Sequence, residues 1–251
     1  MAKALGVDIG GTGIKAAVVD TVTGELLTDR VKLLTPEGGE PEAVVQTVLE
    51  VIDKVGGLEE GVPVGVCFPD VVKHGRTMSA ANVSKRWIGL EAEKLFERSL
   101  GRDITFINDA DAAGYAELHY GAAKGQQGLV ILTTLGTGIG SAFLYDGVLI
   151  ANTELGHLQM HGDSAEVRAS YGAKERGDLS WSKWAGRLQE YYDYLEALFS
   201  PDLFVIGGAV SKNSDDFLPL LKLNTPVVPA VHRNNSGIIG AAALAAIGFH
   251  A

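Results

Sequence analysis

The chain has 251 residues, 46% hydrophobic and 21% charged, with a net charge of −10; it can bury one large core or two small ones, which excludes disorder. The acidic balance repels nucleic acid, so no such partner is expected and any polyanion must be met by local basic residues. A lone Cys67 excludes internal disulfides and a cysteine-built zinc site.

Met1-Ala2-Lys3 leads straight into the first apolar run, so neither a signal peptide nor an appended DNA-binding module is expected, and the location is read as cytoplasmic. The longest uncharged apolar run, 238–249, falls short of the ~20 residues of a helical membrane span. Residues 4–9, whose one charge is Asp8, read as a strand running into Gly10-Gly11-Thr12-Gly13. Strands at 15–19 and 24–33 follow, joined by a turn at 20–24. Pro41 opens a helix over 41–55, with Val44, Val45, Val48, Leu49, Val51 and Ile52 at helical spacing. Next come a buried strand at 62–68, an amphipathic helix at 91–100 and a short strand at 104–107 ending on Asn108-Asp109, with a helix at 110–120 behind it. A strand at 129–135 leads into Gly136-Thr137-Gly138-Ile139, which repeats Gly11-Thr12-Gly13-Ile14. A helix at 180–199 carries Trp181, Trp184, Tyr191, Tyr192 and Tyr194 at a spacing suited to packing on a sheet or a twin subunit. A strand at 203–206 delivers Gly207-Gly208, and an Ala-rich helix at 238–247 closes the chain. The alternation predicts an α/β protein. A small N-terminal domain, 1–108, completed by the C-terminal helix 238–251, and a larger domain, 109–237, are expected.

Glycines between two strands permit positive φ and bring backbone N–H groups close to an oxyanion, and threonine hydroxyls donate as well. One such loop is an ordinary hairpin as readily as a phosphate site. A repeated tetrapeptide behind matched strands favours a duplicated fold in which two facing loops hold the ends of a phosphate chain.

Six motifs in order carry a resemblance: Asp8-Ile9-Gly10-Gly11-Thr12-Gly13, Ala80-Ala81-Asn82, Asn108-Asp109-Ala110-Asp111-Ala112-Ala113-Gly114, Leu135-Gly136-Thr137-Gly138-Ile139-Gly140, Asn152-Thr153-Glu154-Leu155-Gly156-His157 and Gly207-Gly208. The chain resembles the kinases of the ROK (repressor, open reading frame, kinase) family, and within it the polyphosphate glucokinases and glucomannokinases. The resemblance implies a two-domain actin-like ATPase or ribonuclease H-like fold with a central cleft. The implied activity is transfer of a phosphoryl group from polyphosphate, ATP or both to the 6-hydroxyl of glucose, giving glucose 6-phosphate, with mannose left open as an acceptor and a homodimer as the assembly. Two alternatives stand beside it: an ATP-only hexokinase for another sugar such as mannose or N-acetylmannosamine, and a non-catalytic sugar-binding regulator.

Phosphoryl transfer needs a carboxylate to take the hydroxyl proton, and Asp109 at a strand end suits that role. Asn108 or Asp109 could equally cap the following helix; the resemblance decides for the base, with Asp111 as second choice. Asp8 beside the first loop implies a Mg²⁺ held through water, and Lys15 is within reach of a phosphate. Gly10, Gly11, Thr12, Gly13, Gly136, Thr137 and Gly138 form the phosphate-binding set. Asn82, Asn108, Asp109, Glu154, His157 and Glu166 match the family's sugar-contacting positions. Gly207-Gly208 resembles the fold's adenosine motif, with Ala209 where relatives often have a third glycine. Many relatives carry a zinc-binding cysteine loop between His157 and Glu166. This chain has only Gly162-Asp163-Ser164 in that part, so no zinc is expected. Lys15, Lys85, Arg86, Lys124, Lys212 and Arg233 are candidates for a polyphosphate track, and Trp87 for a mobile lid over the sugar.

Overall fold

The structure is a computed structural model that describes residues 2–81 and 83–250. The chain divides into two compact units, Met1–Ala116 with Asn235–Ala251, and Glu117–Asn234.

In the first unit β1 (Lys3–Gly10) turns back as β2 (Gly13–Asp20), with β3 (Val31–Leu33) on the edge. Helix α1 (Pro41–Val55) leads to β4 (Val64–Phe68), a small hairpin of β5 (Val72–Lys73) and β6 (Arg76–Thr77), helix α2 (Ala92–Leu100), and β7 (Thr105–Asn108). The sheet order is β3-β2-β1-β4-β7, with β1, β4 and β7 parallel. Strand alternation sends Leu5, Val7 and Ile9 into the core that holds the apolar stripe of α1 and Phe96 of α2. Gly6 and Asp8 point to the opposite face. Helix α3 (Asp109–Tyr120) starts directly at the end of β7, and the boundary between units falls inside it, after Ala116.

The second unit repeats the plan. Strands β8 (Leu129–Leu135), β9 (Ile139–Tyr145) and β10 (Val148–Thr153) form an antiparallel meander. A hairpin of β11 (Gln159–Met160) and β12 (Asp163–Ser164) leads to α4 (Ala165–Ala169), α5 (Tyr171–Arg176) and the long α6 (Trp181–Phe199). Strand β13 (Leu203–Gly207), α7 (Ser214–Phe217) and β14 (Val227–Pro229) complete it. The order β10-β9-β8-β13-β14 matches the first sheet strand for strand, antiparallel and parallel neighbours included. In both sheets the glycine loop joins the first strand to the second. Helix α8 (Ser236–Ala246) then returns to the first sheet, across the face opposite α1. No helix among the described residues is long and apolar enough to cross a membrane.

Four expectations are corrected. The first unit is the larger one, because it keeps the opening turns of α3 through Ala116 and takes the C-terminal return from Asn235 on. Of the expected strand 24–33 only Val31–Leu33 forms a ladder; Leu26 makes an isolated bridge to Val19, and beyond it the Val18 N–H donates to the Thr28 hydroxyl at 3.1 Å. Trp87 is no lid. It is fully buried, stacks on Phe96, lies against Phe68, and donates its Nε1–H to the Gly39 carbonyl at 2.8 Å. Gly10, Gly13, Gly136 and Gly138 do not sit at positive φ; at Gly138 the need for glycine is closeness, because a Cβ would collide with Glu166 Oε2.

Candidate active site

At the end of β7 the two capping candidates divide the work. Asn108 Oδ1 accepts from the backbone N–H groups of Ala110 at 2.8 Å and Asp111 at 3.0 Å, so Asn108 caps α3. Its Nδ2 donates to the Asp70 carbonyl at 3.1 Å. Asp109 is thereby spared the cap and keeps a partly exposed side chain on the first helical residue. Asp111, the second choice for the base, is fully buried, out of reach of a substrate hydroxyl.

Asp70 was missed by sequence reasoning. Its Oδ1 accepts from Ser79 Oγ at 3.1 Å and from the Ala81 N–H at 2.9 Å, while its carbonyl holds Asn108. It ties the Ala80-Ala81 loop to the end of β7. The signal was present: Pro69-Asp70 directly follows a strand, as Asn108-Asp109 does. Asn82, a sugar-binding candidate on the same loop, lies outside the described residues.

Asp8 lies almost buried in β1, two residues before the first glycine loop. Lys15 Nζ meets its Oδ2 at 2.6 Å. Burial works to lower the Lys15 pKa, but the charge and hydrogen bond of Asp8 outweigh it and leave the ammonium above its ordinary value. Lys15 is thus the partner of Asp8, next to the first glycine loop. Cys67 Sγ sits 3.7 Å from Asp8 Oδ1 and 3.6 Å from the Gly237 carbonyl. Burial pushes the Cys67 thiol well up, and the charges of Asp8 and then Asp109 push it further, so both carboxylates act on one point at the strand ends. The first loop is fixed by the Thr35 hydroxyl, which donates to the Gly10 carbonyl.

In the second unit the candidates converge on Ile139, the residue after Gly138. Its N–H donates to Glu166 Oε2 at 3.1 Å, and Gly156 packs so tightly on its carbonyl that no side chain fits there. Glu154, Gly156 and His157 share one 3₁₀ turn, in which the His157 N–H donates to the Glu154 carbonyl at 3.1 Å. His157 Nε2 lies 3.6 Å from Glu154 Oε2, and its Nδ1 3.8 Å from Glu166 Oε1. Two carboxylates thus flank one half-exposed imidazole, an arrangement that can accept from several hydroxyls while the ring accepts or donates. The second glycine loop is closed by Gly136 N–H to Gly138 O at 3.0 Å, and open space surrounds Gly136.

Gly208 has φ of 83°, and a Cβ would press on the Leu135 backbone just before that loop; glycine there supports the loop by close packing, and Gly207 has ordinary clearance. Of the candidates for a cationic track, Arg86 pairs with Glu40 at 3.0 Å and with Glu42, and Lys85 Nζ donates to the Ala80 carbonyl. Lys124, Lys212 and Arg233 are exposed.

Among the described residues no group of three or more histidine, cysteine, aspartate or glutamate side chains forms a metal cage. A single carboxylate, Asp8, beside the first glycine loop would fit a Mg²⁺ that keeps its waters and takes other ligands from substrate phosphates.

The sequence signature of the ROK family matches residues 4–178. A polyphosphate glucokinase of Mycobacterium tuberculosis is 48% identical over 238 residues, covering 94% of this chain and 89% of that protein. The crystal structure of an inorganic polyphosphate/ATP-glucomannokinase from Arthrobacter sp. strain KM superimposes with a TM-score of 0.96 at 48% identity, over 99% of this chain and 100% of that one. A ROK glucokinase from Streptomyces griseus, solved with glucose and AMPPNP, shares the fold with a TM-score of 0.81 at 24% identity, covering 97% and 99% of the two chains.

Proposed function

Since the chain belongs to the ROK family, we propose that it is a sugar kinase that transfers a phosphoryl group from inorganic polyphosphate, and also from ATP, to the 6-hydroxyl of glucose. The observation that carries the reading is the division of labour at the end of β7, where Asn108 caps α3 and Asp109 retains a reachable carboxylate. Asp109 accepts the hydroxyl proton as the sugar oxygen attacks the terminal phosphorus. The glycine loops supply N–H groups and the Thr12 and Thr137 hydroxyls for the phosphate oxygens, at fixed positions that need no reorganisation as charge develops. Glu154, His157 and Glu166 hold sugar hydroxyls, whose fixed geometry separates one sugar from another. Asn108, by contrast, has its carbonyl committed to the cap and positions Asp109. Asp8 would hold a Mg²⁺, with Lys15 as its standing counter-charge; when bound, the ion neutralises charge on the donor phosphates.

The test is a coupled assay of glucose 6-phosphate formation with each donor supplied separately. Turnover is expected with both, and mannose is run beside glucose as acceptor. Turnover with ATP but with polyphosphate of no length would leave an ATP-dependent sugar kinase in place of this reading. Because the donor phosphates supply most of the ion's ligands, activity lost to a chelator should return with Mg²⁺ alone, and metal analysis of the purified protein should find no stoichiometric zinc.

A further inference from the structure

We propose that Arg176 is a phosphate-binding residue of the second glycine loop, which grips the phosphate chain of the donor; the inference rests on the kinase reading above. Helix α5 hangs from that loop, because the Gly172 N–H donates to the Gly136 carbonyl at 2.8 Å. Helical side chains lean toward the N-terminus of their helix. Arg176, in the last turn, therefore reaches back over α5 toward the loop. Its Nη1 lies 2.9 Å from where a Cβ on Gly172 would stand, and the Thr137 carbonyl oxygen lies 2.7 Å from the same point. The missing side chain of Gly172 is the space in which guanidinium and loop meet.

Nearby cations are already engaged. Lys174 Nζ sits 4.3 Å from the centre of the Trp181 ring, Arg168 pairs with Glu190 at 3.4 Å, and Arg187 donates to the Arg168 carbonyl. Arg176 is exposed, and among the described residues no carboxylate lies within ion-pair distance of it. An arginine folded back onto a glycine loop without a counter-ion, next to open space at Gly136, presents a planar fork of N–H donors to a phosphate. The ligand class is a linear phosphate polyanion, as in polyphosphate or the triphosphate of a nucleotide.

The experiment compares the wild-type protein with Arg176→Gln and Arg176→Lys. Binding of inorganic tripolyphosphate is measured by calorimetry, and KM for polyphosphate, ATP and glucose by the coupled assay. Arg176→Gln should weaken tripolyphosphate and raise the KM of both donors by about tenfold, flatten the salt dependence of polyphosphate use, and leave the KM for glucose unchanged. A rise for polyphosphate alone restricts the contact to the longer chain and still upholds it. Arg176→Lys should recover only part of the loss, because a single ammonium cannot grip two oxygens in one plane. Unchanged tripolyphosphate affinity and donor KM in Arg176→Gln overturn the proposal while leaving the kinase reading intact. A wild-type protein that turns over no sugar, yet loses tripolyphosphate on Arg176→Gln, overturns the kinase reading and leaves this one standing.

Discussion

Asp109→Asn should lower kcat for glucose phosphorylation by roughly 10²–10⁴, the range for loss of a general base, with the melting temperature unchanged. The amide keeps the shape of the carboxylate but cannot take a proton. The fold tolerates the change because the cap of α3 belongs to Asn108 Oδ1, not to Asp109. The KM for glucose should move little, since hydroxyl contacts are shared with Glu154, His157 and Glu166. Asn108→Ala is the informative contrast. It removes the cap, at a cost of about 1 kcal/mol, and frees the β7 end from Asp70, so melting temperature and kcat fall together. Near-normal turnover in a folded Asp109→Asn protein would move the base elsewhere, though not to buried Asp111.

A large effect on stability is expected at Gly65→Ala. Gly6 and Gly65 are register partners on β1 and β4, and together they form a flat floor on which α8 lies. A Cβ on Gly65 would fall on the Ala241 carbonyl oxygen, and one on Gly6 on the Ile238 carbonyl oxygen. Both obstacles are backbone atoms and cannot rotate away, so the helix itself must lift. Overpacking of this kind costs about 3 kcal/mol, a fall of roughly 10 °C in melting temperature for a chain of this size. Activity should fall as well, because α8 carries Gly237, whose carbonyl lies 3.6 Å from Cys67 Sγ beneath Asp8. Thermal melts and kcat measured on one preparation check both effects. An unchanged melting temperature would show that α8 can shift without loss.

Signals confined to one element were legible in the sequence. Helix α1 spans Pro41–Val55, as its apolar spacing and opening proline indicate, and the doubled Gly-Thr-Gly-Ile motif marks two sheets of identical strand order. Pairings across long separations were not legible. Lys85, Arg86 and Trp87 read as an exposed basic loop, yet the partners that decide their roles, Glu40, Glu42, Phe68 and Phe96, lie on other elements. Strands β9 and β10 show no clean alternation and were not read; the second sheet places them by pairing. At the site, strand-end position exposed Asn108 and Asp109, but whether either caps α3 is a matter of side-chain direction, which spacing does not encode. Arg176 and Gly172 carry no motif, and their meeting at the loop depends on how α5 is hung.

Ile139 joins the two proposed subsites through a single peptide unit. Its N–H holds Glu166, and the carbonyl of the residue before it, Gly138, closes the second glycine loop. If Glu166 holds a sugar hydroxyl and the loop a phosphate, as proposed, a sugar that draws on Glu166 pulls on the same peptide unit that the donor settles. Linkage makes such an effect reciprocal: whatever factor the sugar contributes to donor affinity, the donor returns to sugar affinity. A substitution at Glu166 itself should therefore move sugar affinity and donor affinity together, whereas one that touches the donor alone need not. Selection for a new sugar through Glu166 would, on the proposed roles, shift donor affinity by the same factor.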